Sequence, residues 1–589
     1  MTSYTPPLRD VRFILDRVLA LHTLSDIPAF AAVDEELIDA ILSEAGRFAA
    51  DVIAPLNAPG DAAGCTRHPD GSVTTPPGYP EAYARYCESA WGTLALPEEI
   101  GGQGMPHVLA TVVEEFMNSA CHAFTMYPGL THGAVAALMA KADDGMKATY
   151  LPKLVSGEWL GTMALTEPQC GTDLGLIRTR AERADDGSYR ISGEKIFCSG
   201  GEQDLTENII HLVLARLPDA PAGSRGISLF VVPKILAGGE RNAVACTGIE
   251  HKMGVHGSAT CAMLFDDATG WLVGKENEGL AAMFIMMNAA RLSCGNQGLA
   301  QAELAYQNGA AYALERRQGR ALGSRADAAA PADPLIVHPD IRRLLMDARA
   351  FTEGMRALVL WTALQIDVSH GDPREEERIK ADELVSLLTP VLKGFGTDKG
   401  FETAVAMQQV LGGHGYIAEW GMEQIVRDAR VAMIYEGANG VQALDLAGRK
   451  LARDGGAVAE RFFAMVEADC AAAPEELGDI AGPLVDALAE TRAAAKWLSA
   501  AAGRDPNDLG GGAYAFMQMM GLVALGWMWL RMAAVTLGDE DERLALSKQT
   551  TARHFAQRSL PDVAALRRKV EAGADALMAL PADAFAPAA

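Results

Sequence analysis

The sequence predicts a mainly α-helical chain of several domains with one small β-domain set into it. Three observations lead there. At 589 residues the chain is too long for one compact core and divides into roughly three or four domains at about 150 residues each. Apolar residues recur at three- and four-residue spacing through most of its length. Between about Gly161 and Lys275 that period gives way to short β-branched runs punctuated by Gly and Asp-Gly.

Residues 1–35 read as an N-terminal helical extension, and 36–160 as an α-helical domain, on the spacing in "EELIDAILSEAGRFAADVIAPL" and "HGAVAALMAKADDGMKATYLPKLVSG". The β-domain, 161–278, contains "SYRISGEKIFCSG", "IIHLVLARL", "GISLFVVPK", "CAMLFDD" and "GWLVG". A helical bundle, 279–452, follows, interrupted by an Ala/Pro/Asp-rich loop near 323–334. An Ala-rich helical extension, 453–589, is divided by the turn-rich "GRDPNDLGGG". Strand and helix do not alternate as a doubly wound parallel sheet requires, and no internal repeat is visible.

A hydrophobic fraction of 49% and a charged fraction of 22% are those of a soluble globular protein. The net charge of −25 and pI near 4.9 argue against nucleic acid or an anionic membrane surface as principal partner. An anionic ligand must therefore meet a local patch of Arg, Lys or helix N-termini. Nine cysteines lack CxxC or Cys/His metal spacing, so neither a disulfide framework nor a metal site is expected, and a reducing cytoplasm fits. Early Asp10 and Asp16 leave no signal-peptide apolar region. "AYAFMQMMGLVALGWMWL", Ala513 to Leu530, carries no charge and reaches the length of a membrane span, but Gln518, two glycines and Arg531 favour a buried helix.

Gly413-His414-Gly415-Tyr416-Ile417-Ala418 satisfies G-x-G-x-x-G/A, yet it follows the helical "FETAVAMQQVL" where a dinucleotide fingerprint needs a strand. It reads as a helix-ending glycine turn. "MALTEPQCGTDLGLIRTRA", 163–181, reads as a strand entering a polar loop. In "GEKIFCSGGEQDL", 193–205, Phe197 and Ser199 share one edge of a strand and face either a ligand or the core.

In combination, "ALTEP", "SGEKIFCSGG", "HKMGVHGS", "ARLSCGNQGLAQAELAYQNGAAYALERR", "QQVLGGHGY" and "RDARVAMIYEG" resemble, in this order, the motifs of the acyl-CoA dehydrogenase family over about residues 30 to 450. "EQDLTENIIHLVLAR", "EHKMGVHGS", "QALDLAGRK" and the added C-terminal region are most similar to its 3-methylmercaptopropionyl-CoA dehydrogenase branch. The resemblance implies an α-helical domain, a β-barrel-like domain and a four-helix-bundle domain, here with the C-terminal helical extension. It also implies FAD, an acyl-CoA substrate, transfer of electrons to an electron-transferring flavoprotein, and a homo-oligomer, dimer or tetramer, in the cytoplasm.

In this family a glutamate removes the α-proton of the thioester while the β-hydrogen leaves as hydride to FAD. Such chemistry needs oriented donors for the enolate and a carboxylate held against the α-carbon in a pocket that excludes water. Glu436, in "IYEGANG", matches that base. The alternative position used by some members, immediately before Arg291, is Ala290 here. Met163, Leu165 and Thr166 match the strand along the flavin ring. Phe197 and Ser199 stand where a tryptophan and a threonine are usual. Arg316 matches an arginine reaching the FAD pyrophosphate of a neighbouring subunit, and Gln409, Gly412 and Gly413 another part of that contact. Ala438 replaces a usual threonine, leaving Asn439 or the backbone to substitute. Thr172, Asn288 and Arg291 match the CoA channel, and Tyr435 and Gly437 flank the base at the substrate. An oxygen-using acyl-CoA oxidase and a non-catalytic scaffold of the same fold are the competing readings.

Overall fold

The computed structural model describes residues 2–323, 326–501 and 503–586. Ser324 and Arg325 of the expected loop lie outside the described residues. The chain forms two compact units, one of Ala40–Ser293 and one of Met1–Asp39 with Cys294–Ala589.

In the first unit, helices His107–Ala120, His122–Lys141 and Asp144–Val155 precede a seven-stranded sheet. Asp143 caps the last of these helices by accepting from Met146 N at 2.8 Å, which satisfies one of the amides a helix start leaves open. Sheet order is Trp159–Ala164, Asn208–Ala215, Ser228–Pro233, Thr260–Val273, Tyr189–Ser199, Arg180–Arg183, with Val244–Ile249 also on Thr260–Val273. Trp159–Ala164 and Asn208–Ala215 run parallel, and the other pairs antiparallel. Every residue of Asn208–Ala215 and Ser228–Pro233 is buried, which explains their continuous rather than alternating apolar pattern.

The runs "CAMLFDD" and "GWLVG" are one strand, not two. Asp267 sits in it at φ 60°, at a register shift between Ile191 and Gly193 of the neighbour, so the Asp pair is a bulge inside a strand. Strands Arg180–Arg183 and Val244–Ile249, and a small pairing of Thr66–Arg67 with Val73–Thr74, are too short and polar to stand out as alternating runs.

In the second unit Pro339–Gly371 and Glu375–Val410 form a helical hairpin across 372–374. Residues 294–315 of helix Gly279–Glu315 pack on Glu375–Val410 with unusually close backbones. A methyl on Gly298 would lie 2.7 Å from Gly396 O, and one on Gly295 3.0 Å from Leu392 O. The glycines of "CGNQG", with Gly396 and Gly400 of "KGFGTDKG", are therefore where one helix backbone meets the other.

The apolar segment belongs to helix Pro506–Ala534, which is long and apolar enough to span a membrane by composition but is 89% buried inside the fold over that window. Trp527 packs edge-on against Trp361 and Phe462, and Trp529 Nε1 donates to Ala350 O at 2.9 Å. This helix starts earlier than the sequence suggests. Asp505 caps it, Pro506 opens it, and "GGG" lies inside it. A side chain at Gly511 would meet the Gly573 carbonyl at 3.0 Å, and one at Gly512 would meet Leu498 and Val570, so close packing rather than a turn selects glycine there.

Residues 8–18 bring Asp10 to a buried charge cluster in this same unit. Asp10 accepts from Lys548 Nζ and, at 2.5 Å, from Arg356 Nη1. Lys548 also donates to Glu353 at 2.7 Å, and Arg356 to Glu303 at 2.8 Å.

Candidate active site

In the first unit the segment Met163–Glu167 leaves strand Trp159–Ala164 beside Tyr189–Ser199. Leu165 is buried and Met163 half-buried against one core, while Thr166 remains half-buried at the end of the strand. Ile196 N donates to Thr166 O at 2.9 Å, tying the two segments together. Beneath this edge lies a buried ion pair: Lys195 Nζ donates to Glu167 Oε1 at 2.9 Å and to Leu165 O at 2.9 Å. Glu167 also accepts from Thr179 Oγ1, Arg178 N and Gln169 Nε2, each at 2.6 Å, and from Thr179 N at 3.0 Å. Burial pushes this carboxyl up, but Lys195, Thr179 and Arg178 outweigh it and bring it from 4.5 to about 2.

Phe197 departs from ordinary strand geometry. It lies at a register shift at φ 58°, and 59% of it is exposed. A bulge there turns an aromatic ring outward beside Thr166 instead of into the core. Ser199 is half-buried on the same strand, and Thr172 is exposed in the loop. A half-buried hydroxyl beside an outward-facing ring suits a flat, largely apolar group with a polar edge, as an isoalloxazine is. Farther along this unit Arg291 Nη1 lies 3.4 Å from Asn288 Oδ1, one helical turn away, so those two expected residues do meet.

In the second unit Glu436 follows helix Met422–Val431 in a loop at φ 55°, with Gly437 at φ 88°. The left-handed conformation costs a side-chain-bearing residue ~1 kcal/mol, so something must hold it. Gln442, fully buried, donates its Nε2 to Glu436 O and Gly437 O, each at 3.1 Å. Tyr435 donates its hydroxyl to Gln297. The backbone at Glu436 is thus fixed from both sides.

Asn439 opens the next helix, Asn439–Asp445, and does not present a free amide to a ligand. It is buried and its Nδ2 lies 2.7 Å from Asp398 Oδ1, 2.9 Å from Thr397 Oγ1 and 3.0 Å from Gly394 O, while its Oδ1 accepts from Lys393 Nζ at 2.7 Å. Its amide is thus engaged inside the protein.

Arg316, Gln409, Gly412 and Gly413 are all exposed and converge on one end of the bundle. Tyr312, one turn before Arg316, shares a 2.8 Å hydrogen bond with His414 Nδ1, and the His414 ring stacks on Trp420 at 4.4 Å. Gly412 has φ 57° and opens the turn Gly412–Tyr416 after helix Glu375–Val410. The preceding element is a helix, which removes the dinucleotide fingerprint. Among the described residues Arg317 pairs with Asp327 at 3.0 Å, whereas Arg316 joins no ion pair. In an acidic protein an arginine left to solvent suits an anionic ligand.

Sequence reasoning missed Lys195, Gln297, Lys393, Asp398 and Gln442. Each acts on a motif residue through burial, and all but Gln442 from a distant position, a signal that local pattern does not carry.

The family profiles match in order. "Acyl-CoA dehydrogenase, N-terminal domain" matches 35–158, "middle domain" 162–268 and "C-terminal domain" 277–451, and "Acetyl-CoA dehydrogenase C-terminal like" matches 462–581. The 3-methylmercaptopropionyl-CoA dehydrogenase of Ruegeria pomeroyi is 43% identical over 98% of this chain and 99% of its own. A broad-specificity linear acyl-CoA dehydrogenase of Mycobacterium tuberculosis is 33% identical over 99% and 100%. Among solved structures, Caenorhabditis elegans ACDH-11 in complex with C11-CoA superposes with a TM-score of 0.79 at 18% identity, covering 100% of this chain and 96% of that one. The Bacillus anthracis acyl-CoA dehydrogenase complexed with FAD gives 0.74 at 20% identity, covering 97% and 92%. The ordered profiles and the full-length relative agree with the motifs and the layout of strands and helices: the chain belongs to the acyl-CoA dehydrogenase family.

Proposed function

We propose that this chain, a member of a family of oxidoreductases that use FAD, oxidises an acyl-CoA thioester to its trans-2-enoyl-CoA, with Glu436 as the base. The observation that carries this is the held, left-handed backbone of Glu436, pinned by Gln442, in a loop whose neighbours match the family's motif. Strained backbone maintained by buried side chains is characteristic of functional positions.

When bound, FAD supplies the acceptor for the β-hydrogen, which leaves as hydride. The protein's part is proton removal and positioning. Glu436 takes the α-proton, and its fixed backbone restricts the carboxylate to the arc its own side-chain torsions allow. Thr166, Phe197 and Ser199 would hold the ring of the cofactor, with Met163 and Leu165 shaping the strand behind it. Arg316, Gln409, Gly412 and Gly413 would hold its phosphates. Thr172, Asn288 and Arg291 would line the CoA path, and Tyr435 and Gly437 would border the acyl group.

The full-length likeness to the Ruegeria enzyme supports 3-methylmercaptopropionyl-CoA as substrate. Electron-transferring flavoprotein as acceptor, a homo-oligomeric state and a cytoplasmic site complete the proposal.

Purified protein should be yellow and bleach anaerobically on mixing with acyl-CoA. Glu436→Gln should retain its FAD and stay yellow, and bleaching of that variant would refute the base. A panel from butyryl- to palmitoyl-CoA with 3-methylmercaptopropionyl-CoA identifies the substrate, and rapid reoxidation by air would instead mark an oxidase.

A further inference from the structure

The C-terminal extension has so far been only a packing element. Its helix Pro506–Ala534 nevertheless sends two polar side chains to the neighbourhood of Glu436. Gln518 Nε2 donates to Asp398 Oδ2 at 2.8 Å, and the Tyr514 hydroxyl donates to the same oxygen. Asp398 is 4% exposed and its other oxygen receives Asn439 at 2.7 Å. A buried carboxylate is tolerated only when its lone pairs are filled, and here the extension fills one oxygen while the helix after the base fills the other. Burial pushes the Asp398 carboxyl up, against the pull of Tyr514, Asn439 and Gln518.

The chain of contacts then runs without a gap. Lys393 and Asp398 fix Asn439, the first residue of helix Asn439–Asp445. That short helix carries Gln442, and Gln442 holds the carbonyls of Glu436 and Gly437. A seven-residue helix has little stability of its own, so its place, and with it the backbone of Glu436, depends on these anchors.

We infer that the C-terminal extension positions the catalytic base: Tyr514 and Gln518 hold Asp398, Asp398 holds Asn439, and the helix so anchored holds Glu436 in its left-handed conformation. The inference rests on the reading of Glu436 as the base. Tyr514 and Gln518 are positioning residues that touch no substrate.

The test is stopped-flow bleaching of the FAD-loaded enzyme by acyl-CoA, on the double variant Tyr514→Phe/Gln518→Met and on the single Tyr514→Phe. The tyrosine is 43% exposed, so the single variant folds if the double does not. Loss of the donors should slow bleaching at saturating substrate about tenfold, the scale of a small misplacement of a reacting group, with KM within about twofold and FAD content unchanged. Trp527→Phe is the control. Trp527 lies in the same helix as Tyr514 and Gln518 but away from the anchors; its loss removes the 2.6 Å bond from Trp527 Nε1 to Asp469 of helix Ala457–Ala472 and should lower the unfolding midpoint without slowing bleaching. A wild-type bleaching rate in the Tyr514 and Gln518 variants, or an equal slowing in Trp527→Phe, overturns the inference while the base stands. Bleaching of Glu436→Gln would instead overturn the base and this inference with it.

Discussion

Lys195→Met should loosen the strand edge that carries Thr166 by ~3 kcal/mol, and two routes lead to that figure. The Lys195 side chain is wholly buried and that of Glu167 is 3% exposed. Deleting one partner of a buried pair costs ~3–5 kcal/mol, because the other charge stays behind. Independently, the fall of the Glu167 carboxyl from 4.5 to about 2 corresponds to ~3 kcal/mol of preference for its charged form in the folded state. Burial pushes the Lys195 ammonium down by more than Glu167 raises it, so the lysine is the costly half of the pair and the lower figure applies. Because the folded carboxyl is depressed, its stabilisation is present above pH 4.5 and is lost as pH falls from 4.5 toward 2. The assay is native-state hydrogen exchange at the Ile196 amide, which donates to Thr166 O. A change of ~3 kcal/mol speeds exchange about 150-fold. Acceleration of less than about fivefold would mean that the pair contributes little and that Thr166 is held by other contacts.

The charge cluster gives a second expectation, since Lys548→Met leaves Asp10 and Glu353 under-partnered at a cost of ~3–5 kcal/mol; limited proteolysis should then cut within residues 1–39. Burial pushes Lys548 down, but Asp10 and Glu353 raise it above 10.5, so its contribution is full below pH 10.5 and is lost as pH rises beyond. Burial pushes Asp10 up, but Lys548 and Arg356 hold it below 3.8, so its contribution disappears as pH falls below 3.8, and wild-type cleavage should rise at both extremes. A third concerns packing: an added methyl at Gly521 would overlap the rigid ring of buried Phe395, whereas one at Gly394 would meet the flexible end of Met517. Gly521→Ala should therefore lose ~2–3 kcal/mol and Gly394→Ala stay within ~1 kcal/mol of the parent, and the reverse order of Tm values would contradict the packing argument.

Much of the fold can be read directly in the chain. Helical spacing marks the long helices, and the change of period marks the β-domain. The failures are local and physical. "GGG" suggests a turn only while the Gly573 backbone that presses on it is unknown. Asp-Asp at 266–267 suggests a loop only while the bulge that absorbs it is unknown. The candidate site divides similarly. Motifs single out Glu436, Thr166 and Phe197 as candidates, but not the residues that hold them. Asp398 lies 116 positions from Tyr514 and 41 from Asn439, and Lys195 lies 28 from Glu167. Such pairs leave no periodicity, and a buried polar residue looks in sequence like any surface one. Asn439 shows the converse: its motif position suggested a ligand contact, and its burial gave it an internal task.

One feature of the charge cluster bears on how the protein is made. Asp10 and Lys548 are 538 residues apart, and residues 1–39 belong to the unit completed by Cys294–Ala589. At ~5–20 residues per second a ribosome needs about half a minute to two minutes to deliver the lysine after the aspartate. Until Arg356 and then Lys548 are made, Asp10 lacks the cations that hold it, whereas Ala40–Ser293 by then has all of its own residues in hand. Synthesis thus orders the two units: Ala40–Ser293 can close first, and the Asp10–Lys548 pair forms only after the residues between them are made.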